Sequence, residues 1–265
     1  MTSERPEPLD AGTIRDLCPA PIAVEVVERI GSTNAELFAR ARHGIDIHRV
    51  ALFAEQQSAG RGRRGRGWVS PPGANLYLSL GWRLDGAALE GLSLVAGVAV
   101  ARALRRGAGV EARLKWPNDV LVDGRKLGGI LVEVNGDAGG ALDVVIGVGL
   151  NLALPANVAT TIDQPWTDLQ RAGGRNIERN TLAATVLDEL CTAIETLVSS
   201  SFAAFRAEWN ALDALHGRDV MVSGLAATLA GRALGVDEHG ALRVLDAGGM
   251  LHTVMAGEVS VRAQA

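Results

Sequence analysis

Two strand-like stretches lying close together in this chain carry glycines in their interiors, and this limits what they can build. Residues 126–133 run Lys-Leu-Gly-Gly-Ile-Leu-Val-Glu, and residues 146–152 run Ile-Gly-Val-Gly-Leu-Asn-Leu. An interior glycine weakens a strand, so it marks a bulge or a close approach by a ligand or another backbone. Side chains alternate across a strand, so Gly147, Gly149 and Asn151 share one face. Two absent side chains leave a trough with a hydrogen-bonding group at its end. Tight packing of a helix against the sheet would explain either stretch alone. Two such stretches together favour a small-molecule slot.

The surrounding pattern supplies the rest of a sheet. Strands are expected over 24–29, 49–56, 75–83, 111–116, 120–122, 126–134 and 142–152, with helices over 33–42, 89–106 and 181–209. The last helix has a break near 199–201. Thr33 and Glu36 have capping-box spacing at the start of the first helix. In 75–83, Leu76, Leu78 and Leu80 face one way and Tyr77 and Ser79 the other. From Gly217 onward the pattern changes to short strands separated by turn signals such as Gly248-Gly249. The expectation is an α+β chain in three parts. Residues 1–23, rich in proline and charge, form a flexible lead-in; 24–215 form a mixed-sheet domain with helices; 216–265 form a small β-barrel.

Between two of these strands lies Gly60-Arg-Gly-Arg-Arg-Gly-Arg-Gly-Trp68, four arginines and four glycines in nine positions. Glycines let backbone N–H groups approach a ligand, and guanidinium forks suit carboxylate and phosphate. By composition the run also fits a solvated loop, a nuclear-localisation patch or an RNA-binding segment. Its place inside a folded domain of an acidic chain, net charge -4, favours the anion-wrapping loop. Trp68 is either an anchor for the loop end or a surface for ligand stacking. Lys126 is either a solvated edge charge or a cation placed to neutralise charge developing in a transition state. Lys115-Trp-Pro-Asn-Asp119 is good turn chemistry, and it also sets Lys115 and Asp119 at a strand end where active sites collect.

Bulk properties exclude several classes. Hydrophobic residues at 48% are globular rather than disordered. The acidic balance argues against a general nucleic-acid or anionic-membrane binder. Cys18 and Cys191 have neither metal-ligand spacing nor the look of a secreted disulfide framework. With no signal-like N-terminus and no apolar run of spanning length, a cytoplasmic location is expected.

In combination, Ser32-Thr-Asn34, 60–66 with Trp68, 115–119, 126–133, 147–151 and the terminal Gly257-Glu-Val-Ser-Val-Arg262 resemble, in order and spacing, the biotin–protein ligases. The resemblance covers about residues 24–262. It implies a fold similar to class II aminoacyl-tRNA synthetases with a C-terminal SH3-like barrel, and a form without the winged-helix module that lets some members bind DNA. It implies that biotin and ATP give biotinyl-5′-AMP, and that biotin then passes to a lysine of a biotin carboxyl carrier domain of an acyl-CoA carboxylase. Lys126, Arg63 and Asp119 are the implied catalytic residues. Ser32, Thr33, Asn34, Gln57, Arg61, Gly62, Arg63, Lys126, Gly128 and Gly149 are implied to hold biotin. Arg61, Arg63, Arg66, Lys115, Asn118, Lys126, Asn151 and Trp166 are implied to hold ATP or the adenylate. Mg²⁺ is expected on the nucleotide phosphates rather than on protein ligands, and neither DNA nor membrane is an expected partner. A lipoate–protein ligase, a non-catalytic biotin sensor and a nucleic-acid binder are the competing readings. The dense arginine-glycine run argues against the first, the expected lack of the winged-helix module together with Lys126 against the second, and the acidic net charge against the third.

Overall fold

The computed structural model describes residues 7–85, 89–136, 140–156, 162, 164–175, 177–224, 227–257 and 259–263. A seven-stranded sheet carries strands β1 (Ala23–Ile30), β2 (Val50–Gln57), β3 (Asn75–Leu84), β4 (Arg113–Lys115), β5 (Asp119–Val122), β6 (Arg125–Asn135) and β7 (Leu142–Asn151). Its spatial order is β1-β2-β3-β7-β6-β5-β4. Only β1 and β2 pair in parallel; every other neighbour is antiparallel. The mixed sheet with helices expected from the pattern is present.

Helices cover both faces of the sheet. On one face lie α1 (Ala11–Leu17), α3 (Leu92–Ala108), α4 (Arg179–Ser200) and α5 (Ala203–Leu212). They share a core with Phe53, Leu76, Leu78, Val144 and Ile146. On the other face α2 (Thr33–Arg42) packs Leu37 and Ala41 against Leu52 and Val145. Strand alternation explains the division, since Leu52 and Phe53 must point to opposite sides. The alternation in β3 follows the same rule, but Tyr77 and Ser79 are buried as fully as the leucines because α2 and the following segments cover their face.

Two expectations need correction. The capping residue of α2 is Ser32, whose Oγ accepts from Ala35 N, and not Thr33. The helix therefore begins at Thr33, and Glu36 pairs with Arg40 one turn on instead of closing a capping box. The lead-in over 1–23 is also not loose where it is described, although residues 1–6 lie outside the described residues. Asp10 caps α1, Ile14 is fully buried, and Leu9 and Cys18 join the core. Asp10 N donates to Asn180 Oδ1, and Arg179 donates to the Glu7 carbonyl. Proline and charge made the segment look solvated, yet three spaced apolar side chains are enough to seat a two-turn helix.

The C-terminal run forms a separate antiparallel, barrel-like sheet: β8 (Asp219–Ser223), β9 (Leu229–Val236), β10 (Leu242–Leu245), β11 (Leu251–Val254) and β12 (Ser260–Ala263), in the order β11-β10-β9-β8-β12. It is docked rather than tethered. Trp116 Nε1 donates to the Gly240 carbonyl at 3.1 Å in a buried contact, and Asn210 Oδ1 accepts from Val236 N.

Candidate active site

A cleft of about 470 Å³ opens on the α2 face of the large sheet. Its floor is a chain of neutral polar groups backed by one carboxylate, Glu133, that lies outside the lining. Thr33 N donates to Gln57 Oε1 at 2.9 Å, which uses one of the free N–H groups at a helix start. Ser79 Oγ lies 2.7 Å from Thr33 Oγ1 and 2.6 Å from Asn34 Oδ1. Asn34 Nδ2 donates to Glu133 Oε2 at 2.8 Å. Gln57 Nε2 donates to Ser70 Oγ, which donates in turn to the Trp68 carbonyl. The floor is thereby bonded to the end of the arginine-glycine loop.

The glycine trough exists, and side chains of the site itself fill it. A Cβ at Gly147 would lie 2.2 Å from Asn34 Oδ1, and one at Gly149 would lie 2.7 Å from the Trp68 ring. The missing side chains make room for Asn34 and Trp68, and these two become cleft walls. The Trp68 backbone N–H closes the loop on the Gly60 carbonyl, the anchoring role expected of it, and its indole lines the cleft.

The loop is a miniature hairpin. Arg61 bridges Gly67, Gly62 N donates to the Arg66 carbonyl at 2.7 Å, and Arg64 and Gly65 turn the chain at positive φ. Arg63 folds back under it, donating to Asn118 Oδ1 at 3.2 Å and to the Gly257 carbonyl of the C-terminal sheet. Burial draws the Arg63 pKa below the usual arginine value. Arg61, Arg64 and Arg66 remain exposed. Lys126 Nζ sits 5.6 Å from the Trp68 ring centroid and 2.5 Å from Asp119 Oδ1, and Lys115 Nζ lies 3.7 Å from the same carboxylate. Burial also lowers the Lys115 pKa, while Asp119 opposes that shift.

Of the residues singled out in the sequence, Ser32, Thr33, Asn34, Gln57, Arg61, Gly62, Arg63, Arg66, Asn118, Lys126 and Gly149 all line this cleft. Asp119 and Lys115 stand behind Lys126. Trp166 bridges Lys126 along the backbone, with the Arg171 guanidinium 4.7 Å from its ring. Two residues are placed elsewhere. Gly128 faces the core, where a Cβ would meet Leu150 at 2.5 Å and the Gly149 carbonyl at 2.7 Å. The cause is a register shift: Val120 pairs with Gly128 but Leu121 pairs with Lys126. The extra residue puts Lys126 and Gly129, not Gly128, on the cleft side. Asn151 is buried, and its amide is used in donating to the Thr167 carbonyl and accepting from Asn75 Nδ2. It straps β7 to its neighbours and does not reach the cleft.

Gly129, Leu131, Gln164 and Arg262 also line the cleft and were not picked out as site residues. Gly129 was visible as half of a glycine pair. Arg262 comes from β12 and ends the terminal motif 257–262, but nothing in that motif marked it as a cleft residue, because only the docking of the second sheet brings it there.

Comparison with known proteins agrees with this architecture. Residues 26–151 match the biotin/lipoate A/B protein ligase family, and residues 215–262 match the biotin protein ligase C-terminal domain. The chain is 43% identical over 242 residues to the bifunctional ligase/repressor BirA of Escherichia coli, spanning 91% of this chain and 74% of that protein. It is 39% identical to the biotin–[acetyl-CoA-carboxylase] ligase of Mycobacterium tuberculosis, across 89% and 88% of the two chains. A biotin protein ligase from Aquifex aeolicus, solved in complex with biotin and ATP, superposes with a TM-score of 0.78 at 26% identity, over 91% of this chain and 99% of that one.

Proposed function

The chain belongs to the biotin protein ligase family, and from that premise we propose how its cleft divides the work. The enzyme activates biotin with ATP to biotinyl-5′-AMP and transfers the biotin to a lysine of a biotin carboxyl carrier protein. One observation carries the assignment of parts: a neutral hydrogen-bonding floor and a set of cations share one cleft. Biotin has a neutral ureido head and an anionic carboxylate tail, and it needs both.

The head belongs on Ser32, Thr33, Asn34 and Gln57. The tail belongs near Lys126, where it meets the α-phosphate of ATP. Two anions brought together repel unless a cation lies between them. Lys126 supplies that charge, with Arg61 and Arg63 on the carboxylate–phosphate junction and Arg66 on the outer phosphates. The carboxylate oxygen forms a bond to the α-phosphorus as the bond to pyrophosphate breaks. In the second step the neutral ε-amine of the carrier lysine attacks the acyl carbon, and AMP leaves with the electron pair of the broken C–O bond. Asp119 holds Lys126 in place and is the carboxylate available to take the amine's proton. Asn118, Lys115 and Trp166 are assigned to the nucleotide.

Magnesium enters with the nucleotide substrate. Among the described residues no three His, Cys, Asp or Glu side chains are grouped to hold a metal ion. The charged residues that line the cleft among those described are cationic, so phosphate oxygens and water are the ligands assigned to the ion. No helix among the described residues is long and apolar enough to cross a membrane.

Mass spectrometry of a carrier domain incubated with the protein, ATP-Mg and either biotin or lipoate tests the assignment. A biotin-sized addition to one lysine is expected. Addition of lipoate alone would move the chain to the other branch of its family.

A further inference from the structure

The polar chain beneath the cleft has a direction, and one residue outside the cleft wall sets it. Glu133 accepts from Asn34 Nδ2 at 2.8 Å, and a carboxylate oxygen has no hydrogen to give. The Leu131 carbonyl accepts from the same nitrogen at 3.3 Å. Both acceptors hold the Asn34 amide with its oxygen toward Ser79.

Each later step follows by counting hydrogens. Asn34 Oδ1 lies 2.6 Å from Ser79 Oγ, and an amide oxygen can only accept, so the single Ser79 hydrogen goes to Asn34. Ser79 Oγ is also 2.7 Å from Thr33 Oγ1. Two hydroxyl oxygens at that separation need a hydrogen between them, and Ser79 has none left, so Thr33 donates to Ser79. Gln57 Oε1, 3.2 Å from Thr33 Oγ1, is the longer contact and is already served by Thr33 N. With its hydrogen committed to Ser79, Thr33, a residue of the cleft lining, has only lone pairs left for a ligand. Gln57 Nε2 spends one hydrogen on Ser70 and keeps the other. The floor presents a fixed acceptor beside a fixed donor.

We infer that Glu133 is a positioning residue for ligand choice: by holding the Asn34 amide it fixes the hydroxyl hydrogens of Ser79 and Thr33, so that Thr33 demands an N–H from the ligand's head group. The inference rests on the proposed biotin site and deepens it, since a cyclic urea offers an N–H beside a carbonyl.

The test compares dissociation constants, by calorimetry, for biotin and two carbamate analogues, each with a ring oxygen in place of one ureido N–H. The wild-type protein is expected to bind one analogue at least about tenfold more weakly than biotin, because a ring oxygen then faces the Thr33 lone pairs. Glu133→Gln can turn its own amide oxygen to Asn34, and the ratio should persist. Glu133→Lys offers only donors at the shorter of the two contacts, so Asn34 turns over at the expense of its 3.3 Å bond to the Leu131 carbonyl, Ser79 donates to Thr33, and the Thr33 hydrogen becomes free for the ligand. The ratio should then fall to about threefold or less. Ser79→Ala removes the relay without adding charge, should lower the ratio likewise, and serves if the lysine variant does not fold. An unchanged ratio in the folded lysine variant or in Ser79→Ala overturns the inference while leaving biotin activation by the wild type standing. A wild-type protein that binds no biotin overturns the proposed function and the inference together.

Discussion

The ion pair of Lys126 with Asp119 at 2.5 Å fixes the place of the charge but also commits it, because the substrate anions must compete with a carboxylate already present. Lys115 shares that carboxylate, so Asp119 can keep one cation while Lys126 turns to the ligand. Lys126→Gln should keep the fold, since the ammonium is at the cleft and not in the core. It should cut biotin-dependent pyrophosphate release by on the order of a hundredfold or more, the usual cost of losing a preorganised charge. Near-normal release would remove Lys126 from the chemistry. Arg63 has a different duty. It lies in the loop that covers the cleft and reaches both Asn118 and the Gly257 carbonyl. Arg63→Gly should still form the adenylate, with Lys126 in place, but should let it escape about ten to a hundred times faster, the equivalent of one charged hydrogen bond. Biotin appearing on serum albumin, normalised to pyrophosphate, measures that escape. Labelling equal to wild type would confine Arg63 to substrate capture.

The glycine-bearing strands give a sharper test of how elements make the site. Gly128 and Gly129 are adjacent, yet one faces the core and the other the cleft. Gly128→Ala sets a methyl against the Gly149 carbonyl, and overpacking against backbone costs about 1–3 kcal/mol. Its melting temperature should fall by several degrees while the protein that remains folded binds biotin normally. Gly149→Ala instead pushes on the Trp68 indole, a movable wall of the cleft. Its melting temperature should change little, and biotin affinity should drop by about fivefold to a hundredfold, the same 1–3 kcal/mol expressed as binding. The reverse pattern would mean that the two faces are misassigned. Most strands and helices were legible in the sequence because periodicity survives without tertiary context; the helix at 33–42 was expected, with its cap misplaced by one residue. The phase of β6 was not legible. A bulge at Leu127 depends on the pairing with β5, and simple alternation from Lys126 picks the wrong glycine. The N-terminal helix was hidden for a similar reason, since its few apolar residues gain their meaning from α4. Serine, threonine and asparagine at 32–34 could be read as ligand contacts, but the partners that orient them, Ser79 and Glu133, lie 45 and 99 residues from Asn34.

The C-terminal sheet must be held firmly for Arg262 to reach a cleft built by the other sheet. The junction runs through Asp213, which ends α5. Its backbone bridges Leu114 at the edge of the large sheet, and Ala214 N donates to the Leu114 carbonyl. Asp213 is 2% exposed; Oδ1 accepts from Leu215 N, while Oδ2 has no hydrogen-bond partner among the described residues. Burial raises its pKa above the ordinary 3.8, against the opposing effects of the Leu215 N–H, His216 and Arg113. The native state then holds this proton more tightly than the unfolded chain does. Stability is lost as pH rises from about 3.8 through the raised native value, and the deficit is complete above it. Above that raised value the junction carries a buried charge with one oxygen unserved among the described residues. Asp213→Asn keeps the acceptor for Leu215 N and removes the charge. It should melt a few degrees above wild type at pH 7, as expected for relief of about 1–2 kcal/mol in a chain of this length. The advantage should shrink as the pH falls, and the two proteins should converge below about pH 3.8, where both are neutral at this position. Paired thermal melts across that range decide the matter. A variant that is less stable at pH 7, or an advantage independent of pH, would show that the Asp213 charge serves the domain junction and does not burden it.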